Sequence, residues 1–243
     1  MANGRGWGQD ATFAPGWQRV EQAVLSAAVA PETWIPAVGA LAFTIGAADR
    51  NLTHWATTKT PVFGSQENAN RMSDNLRSVA SGIWIASAVA APSGDSAEDW
   101  WINKVKGIGV QAVEGAFTRQ TVGFLKNSVD RTRPNGNGWS FPSLHATATA
   151  SYATLASRNI ETLQWSGTAM TASRIGLGTL TAATAWSRLE ANQHYPSDVL
   201  AGIALGHFLG AFFTDAFMGL NSNVQVTIEP SRKSTFAGFR FRF

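Results

Sequence analysis

Apolar residues fall in long, nearly uncharged stretches through most of the chain and in strict alternation only at its end. The stretches predict helices. A first runs from Trp17 to Val29 and is broken by Pro31; a second runs from Glu32 to Ala47. Residues 1–16 are Gly-rich and polar and are expected to be poorly ordered. The segment Asp49–Asn70 has no clear period, contains Pro61-Val62-Phe63-Gly64, and reads as a long connection. His54, Trp55 and Lys59 lie in it; a surface loop packed by its own aromatics is preferred over a substrate lid. A third helix is expected over Ala69–Ala90, ended by Pro92-Ser93-Gly94. A fourth runs from Ala97 to Ser128, with Glu98 and Asp99 at the positive end of its dipole. Asp130–Phe141 is a loop marked by Pro134-Asn135-Gly136-Asn137-Gly138. Three more helices follow, over Ser143–Ser157, over Glu161–Arg188, and from just after Pro196-Ser197 to Leu220, with Ser143 and Ser197 where N-caps belong.

The tail changes period. Val224, Val226 and Ile228 alternate with polar residues, as do Phe239, Phe241 and Phe243 with Arg240 and Arg242. Period two means strands, and Pro230-Ser231-Arg232-Lys233 would turn them into a hairpin. A lone hairpin is too small to be stable by itself, so it must dock on the helices, a membrane or a partner. The fold class expected is mainly α: a compact bundle of about six or seven helices with a short C-terminal β-hairpin. The domain division expected is a helical domain over 1–220 and a hairpin appendage over 221–243.

Composition narrows the function. Apolar residues make up 44% of the 243 residues and charged ones only 14%, so much surface is buried or meets an apolar neighbour. The net charge of +3 is small and no long basic run exists, which argues against nucleic-acid binding. There is no cysteine, so disulfides, thiol catalysis and cysteine metal sites are excluded. The first ten residues lack a charged region followed by an apolar one, so no signal peptide is expected. Thr33–Ala48, Ser78–Gly94 and Val199–Thr214 are uncharged or nearly so, yet short of the roughly 20 residues a membrane span needs. Buried helices are the better reading, with contact to a membrane surface still open. Trp100 and Trp101 are read as core residues ahead of interfacial anchors.

Three short blocks then stand out in order: Lys126, six residues, Arg133-Pro134; Pro142-Ser143-Leu144-His145; and Ser187-Arg188, five residues, His194, three residues, Asp198. Cleaving a phosphate ester or anhydride requires stabilising charge spread over the phosphoryl oxygens. Arg133 and Arg188 each offer a planar fork of donors, and Lys126 adds a point charge. Ser143 can donate its hydroxyl, and the amides of Leu144 and His145 lie at a helix N-terminus suited to an anion. One histidine must attack phosphorus and the other must protonate the leaving oxygen. Asp198, four residues after His194, can hold the second ring nitrogen of that histidine. His145 has no acid at comparable spacing and is the better general acid. Taken singly, each residue has a plainer explanation: a helix end for Lys126, a turn for Arg133-Pro134, a structural histidine for His145. Ten specified positions in the required order outweigh those explanations together. His207, in an apolar helix, is read as a core or interhelix hydrogen-bonding residue, and His54 carries no assignment.

These blocks resemble the three motifs of the type 2 phosphatidic acid phosphatase superfamily, which includes bacterial class A acid phosphatases and vanadium haloperoxidases. The resemblance implies His194 as nucleophile, His145 as acid/base, Asp198 as its orienter, and Lys126, Arg133, Ser143, Leu144 through its amide, and Arg188 as phosphate ligands. It implies a helix bundle, no metal and no cofactor, with vanadate as an inhibitor or transition-state mimic. It also implies a phosphorylated lipid or small phosphoester as substrate, peripheral membrane contact and a bacterial-envelope location. One position departs from the pattern: Leu144 stands where the family usually has Gly, and its side chain is expected to crowd the phosphate or require a different backbone angle. The function expected is metal-independent hydrolysis of a phosphate monoester or diphosphate, of a lipid by preference, through a phosphohistidine. The alternatives are a non-specific acid phosphatase acting on soluble esters, a vanadate-dependent haloperoxidase, and a non-catalytic lipid-phosphate-binding envelope protein.

Overall fold

The computed structural model describes residues 7–220 and the strand backbones 224–230 and 235–241. Eight α-helices follow one another: α1 (Trp17–Val29), α2 (Pro31–Phe43), α3 (Ala48–Lys59), α4 (Gln66–Ala90), α5 (Ala97–Val129), α6 (Leu144–Glu161), α7 (Gly167–Glu190) and α8 (Pro196–Phe213). A π-helical turn, Thr214–Met218, ends α8. Strands β1 (Val224–Pro230) and β2 (Thr235–Phe241) pair antiparallel, with Val224 opposite Phe241. The expected turn at 231–233 and Phe243 lie outside the described residues.

Serine caps four of these helices. The Oγ atoms of Ser65, Ser96, Ser143 and Ser166 each accept the amide of the third helical residue, satisfying a donor that the helix cannot. Ser197 does not play this part: α8 starts two residues earlier, with Tyr195 at the cap and Pro196 in the first turn. The helix count exceeds the expected six or seven chiefly because of α3. It lies where a long connection was expected, since Asp, Asn, Thr and His fill it and leave no apolar stripe. Tertiary contacts hold it instead. Asp49 is buried against α8, and the Trp55 ring meets Trp186 edge-on at 6.1 Å.

α6 is the central helix, with α4, α5, α7 and α8 packed on it and α2 closed over α8. The approach of α8 depends on glycine. A Cβ at Gly206 would lie 2.1 Å from the Thr147 carbonyl oxygen, and one at Gly202 would lie 2.9 Å from that of Ser143. Any side chain there would push the two helices apart and carry the α8 N-terminus out of register with α6.

α5 reverses the usual arrangement. Its buried stripe is largely polar, with Asn103, Lys104, Gln111, Glu114 and Thr118 beside Val110 and Val122, while Val105, Val113, Phe117 and Phe124 face outward. Buried polar groups are costly unless paired, and most of these are paired. Asn103 donates to the Ser93 carbonyl at 2.6 Å. Lys104 Nζ donates to the Ala88 and Ala91 carbonyls, both at 2.5 Å, and so closes the C-terminal end of α4. Gln111 and Asn159 exchange amide hydrogen bonds, and Trp7 and Trp84 donate their indole N–H groups to the same pair. Trp7 therefore belongs to the core, 1% exposed and seated over Gly107, although it falls in the segment expected to be poorly ordered. Glu114 accepts from Thr118 and Ser151 through Oε1, while Oε2 has no partner, and burial pushes its pKa up to about 7.

More apolar surface lies outside. Trp34, Val38 and Leu41 on α2, and Val79, Ile85 and Val89 on α4, are exposed, as is Trp101, which was expected in the core. Among the described residues one helical stretch, Pro196–Met218, is long and apolar enough to cross a membrane, and 61% of its apolar window is buried in the bundle. α1 and α2 pass the same test only if joined across their 54° bend.

Candidate active site

The C-terminal ends of α5 and α7 and the N-terminal ends of α6 and α8 meet at one pole of the bundle, closed by the loop 130–143. The join is direct, because the Ser143 amide donates to the Asp198 carbonyl at 3.1 Å. Every residue singled out in the three sequence blocks lies here. Lys126, in the last turn of α5, donates to the carbonyls of Trp139 at 2.9 Å and Ser140 at 3.3 Å. Arg133 donates to the Trp139 carbonyl at 3.2 Å and to Gln193 Oε1 at 2.7 Å. Arg188, near the end of α7, is buried and held by Asn70 Oδ1 and Ser73 Oγ of α4, each at 2.8 Å. Its Nε is buried without a hydrogen-bond partner.

Lys126 and Arg188 are both close enough to Arg133 for its charge to disfavour theirs. Burial, then Arg133 and Arg188, bring the Lys126 pKa down to about 8 against the opposing pull of Asp198. Burial, then Arg133, bring Arg188 down to about 10. Cations gathered in this way, with an orphan donor among them, form a receptor for an anion.

His194 is 2% exposed, and burial followed by the Arg188 and Lys126 charges depresses its pKa to about 3. Its ring is therefore neutral over the ordinary pH range. Its Nδ1 lies 3.7 Å from Asp198 Oδ2, longer than a hydrogen bond, and makes no other hydrogen bond. Asp198 is fully buried. It accepts the Ser140 hydroxyl and the Tyr195 amide (2.8 Å) on Oδ2, and Arg131 (2.9 Å) on Oδ1. Burial alone would raise its pKa; His194, Ser140 and the Tyr195 amide together outweigh burial and hold it below the usual carboxylate range.

His145, on the first turn of α6, stands apart from that pair. Its Nε2 is 2.8 Å from Asp74 Oδ1, on α4. Burial and the Arg188 charge lower its pKa to about 4, against the upward pull of Asp74. His145 has no acid nearby in sequence, as expected, but it does have one in space: Asp74 is 71 residues upstream, where no sequence spacing would reveal it. Leu144 adopts ordinary helical backbone, not the left-handed conformation that would call for glycine. Its side chain lines a narrow crevice with Arg77, Thr118, Arg119 and Tyr152.

Beyond Asp74, the sequence reading also missed the residues behind Asp198. Arg131 bridges Asp198, Ser197 Oγ (2.7 Å) and Asp49 Oδ2 (2.8 Å), with its guanidinium 4.0 Å from the Tyr195 ring centroid. Asp49 also accepts the Ser197 amide at 2.8 Å. Arg131 stood two residues from Arg133, and a second arginine in the same block was the only available signal. His207 donates to or accepts from Thr33 Oγ1 at 2.8 Å, the interhelix one of the two roles expected of it. Among the described residues no three His, Asp or Glu side chains converge in the manner of a metal site.

A sequence model of the PAP2 superfamily matches residues 135–221, which contain Ser143, Leu144, His145, Arg188, His194 and Asp198. Lys126 and Arg133 lie just before that span. No curated protein sequence matches the chain. Among solved structures, the fold is similar to that of the first transmembrane PAP2 type phosphatidylglycerolphosphate phosphatase from Bacillus subtilis, with a TM-score of 0.56 and 19% identity over 79% of this chain and 94% of that one. Residues 135–221 thus match the PAP2 superfamily, and the helical fold that carries them is similar to that of a PAP2 type phosphatase.

Proposed function

We propose that the protein is a metal-independent phosphatase that works through a phosphohistidine, with a lipid phosphate as its preferred substrate. The observation that carries the reading is the set of Lys126, Arg133 and Arg188 gathered around a buried, neutral His194. The cations, the Ser143 hydroxyl and the Leu144 and His145 amides hold the phosphoryl oxygens and take up their charge in the transition state. Asp198 lies on the Nδ1 side of His194, so Nε2 is the attacking atom. Its lone pair forms the P–N bond while the P–O bond to the leaving group breaks, and a protonated His145 gives its proton to the departing oxygen. Water then attacks the phosphohistidine. His145 takes up the proton of that water, the P–N bond breaks, and phosphate leaves with His194 restored. Asp198 stabilises the imidazolium character of His194 during both steps.

The lipid preference is supported by the exposed apolar side chains of α2, α4 and α5, which suit contact with an amphiphilic assembly. The test is phosphate release in EDTA from phosphatidic acid, phosphatidylglycerol phosphate, a polyprenyl diphosphate and p-nitrophenyl phosphate. Turnover is expected to resist EDTA, to be inhibited by vanadate and to fall by roughly 10⁴-fold or more in His194→Ala. Turnover surviving in that variant would remove His194 as the nucleophile. Activity confined to p-nitrophenyl phosphate would remove the lipid preference.

A further inference from the structure

We infer that Asp74 is a positioning residue for the proton donor, fixing the ring of His145 so that Nδ1 is the nitrogen that serves the leaving oxygen. This rests on the phosphohistidine reading and adds to it a residue from outside the sequence blocks. The geometry is specific. Asp74 Oδ1 lies 2.8 Å from His145 Nε2, and Arg77 approaches the same oxygen at 3.7 Å. A carboxylate accepts and does not donate, so the bonded ring nitrogen carries the hydrogen. Nδ1 is then the free nitrogen of the neutral ring. When the ring is doubly protonated, Nδ1–H can be surrendered to the leaving oxygen, and the neutral tautomer left behind is the one Asp74 already holds. The reaction therefore needs no ring flip between proton uptake and release.

The same helix turn serves a phosphate ligand and the proton donor. Asn70 and Ser73 fix Arg188, and Asp74, the next residue, fixes His145. One turn of α4 thus aligns a phosphate ligand and the acid group on the phosphate's departing side. Asp74 is 55% exposed in its side chain, so a substitution there leaves no buried hole.

The test compares p-nitrophenyl phosphate with phenyl phosphate, which has nearly the same shape but a leaving group that depends far more on protonation. In Asp74→Asn, kcat/KM for phenyl phosphate is expected to fall about tenfold or more, and for p-nitrophenyl phosphate by less than about threefold. Asp74→Glu should recover part of the loss. A merely structural role would reduce both esters alike, and that result, or no loss on either, would overturn the proposal. A second readout is independent of turnover: the His145 ring titration followed by NMR. The charges facing this ring are Asp74 and Arg77 from α4 and Arg188 from α7. Removing the only carboxylate among them should move the midpoint to lower pH, and an unmoved midpoint would overturn the proposal even if neither ester is a substrate. Failure of the underlying reading has its own signature, turnover that persists in His194→Ala.

Discussion

The two histidines of the site occupy opposite settings. His194 is sealed in the bundle beside a fully buried aspartate four residues away, and that aspartate is itself held by a hydroxyl, an amide and a guanidinium. His145 keeps 21% of its side chain exposed and depends on an aspartate from another helix that is 55% exposed. The first pair is made by one turn of chain and then buried. The second exists only if α4 docks correctly on α6. A nucleophile needs a fixed, dehydrated environment, whereas a proton donor must exchange with water, and the burial of each ring matches its assigned task.

The sharpest way to break the contrast is Asp198→Asn. It strands Arg131 and removes the counter-charge of His194, and kcat is expected to fall on the order of 10³-fold or more, by analogy with other buried His–Asp pairs. A loss as small as that of Asp74→Asn would make the two pairs equivalent and remove the distinction. The pH profile sharpens it next. Because the His194 pKa is lowered to about 3, its neutral form should persist down to about pH 4. Because that of His145 is lowered to about 4, its acid form should be lost early as pH rises. For phenyl phosphate, kcat/KM should therefore decline on the alkaline side from mildly acid pH. The limb in kcat should lie at higher pH, since bound phosphate favours the imidazolium. A profile that rises from pH 5 to 8 would contradict this. The smallest effect is on stability. Both folded-state pKa values lie below the unfolded 6.5, so the unfolded chain binds protons first, and the stability present above about pH 6.5 is lost as pH falls toward 4 and 3. Thermal melts should show Tm falling by several degrees between pH 7 and 4. His194→Asn should flatten that slope more than His145→Asn, because the more exposed ring loses less hydration on folding.

What could be read from the chain was what lies close together in it. The motif residues from Lys126 to Asp198 converge as their order suggested, and the long uncharged stretches are helices. Asp74, Asn70 and Ser73 were invisible because helix α4 supplies them from far upstream, in a turn that has no motif of its own. α3 was missed because its helix-forming tendency is weak and its place is set by Asp49 and Trp55, contacts that exist only in the assembled bundle. Ser197 was misjudged as a cap because Pro196 can begin a helix as well as precede its cap, and the Ser197 hydroxyl instead joins Arg131 and Asp49. The different backbone angle expected for Leu144 came from the usual role of glycine, whereas here the backbone is helical and the residue lines the crevice between α4, α5 and α6.

The reversed polarity of α5 has a consequence for anyone who reads variation in this chain. Substitution scores based on hydropathy would mark Val105, Val113 and Phe124 as the guarded positions and pass over their polar neighbours. Saturation mutagenesis across 97–129 should return the opposite map, with intolerance at Asn103, Lys104, Gln111 and Thr118, each already committed to a specific hydrogen bond. A neutral-looking exchange of Lys104 for leucine would uncap α4 and loosen the helix that carries Asp74.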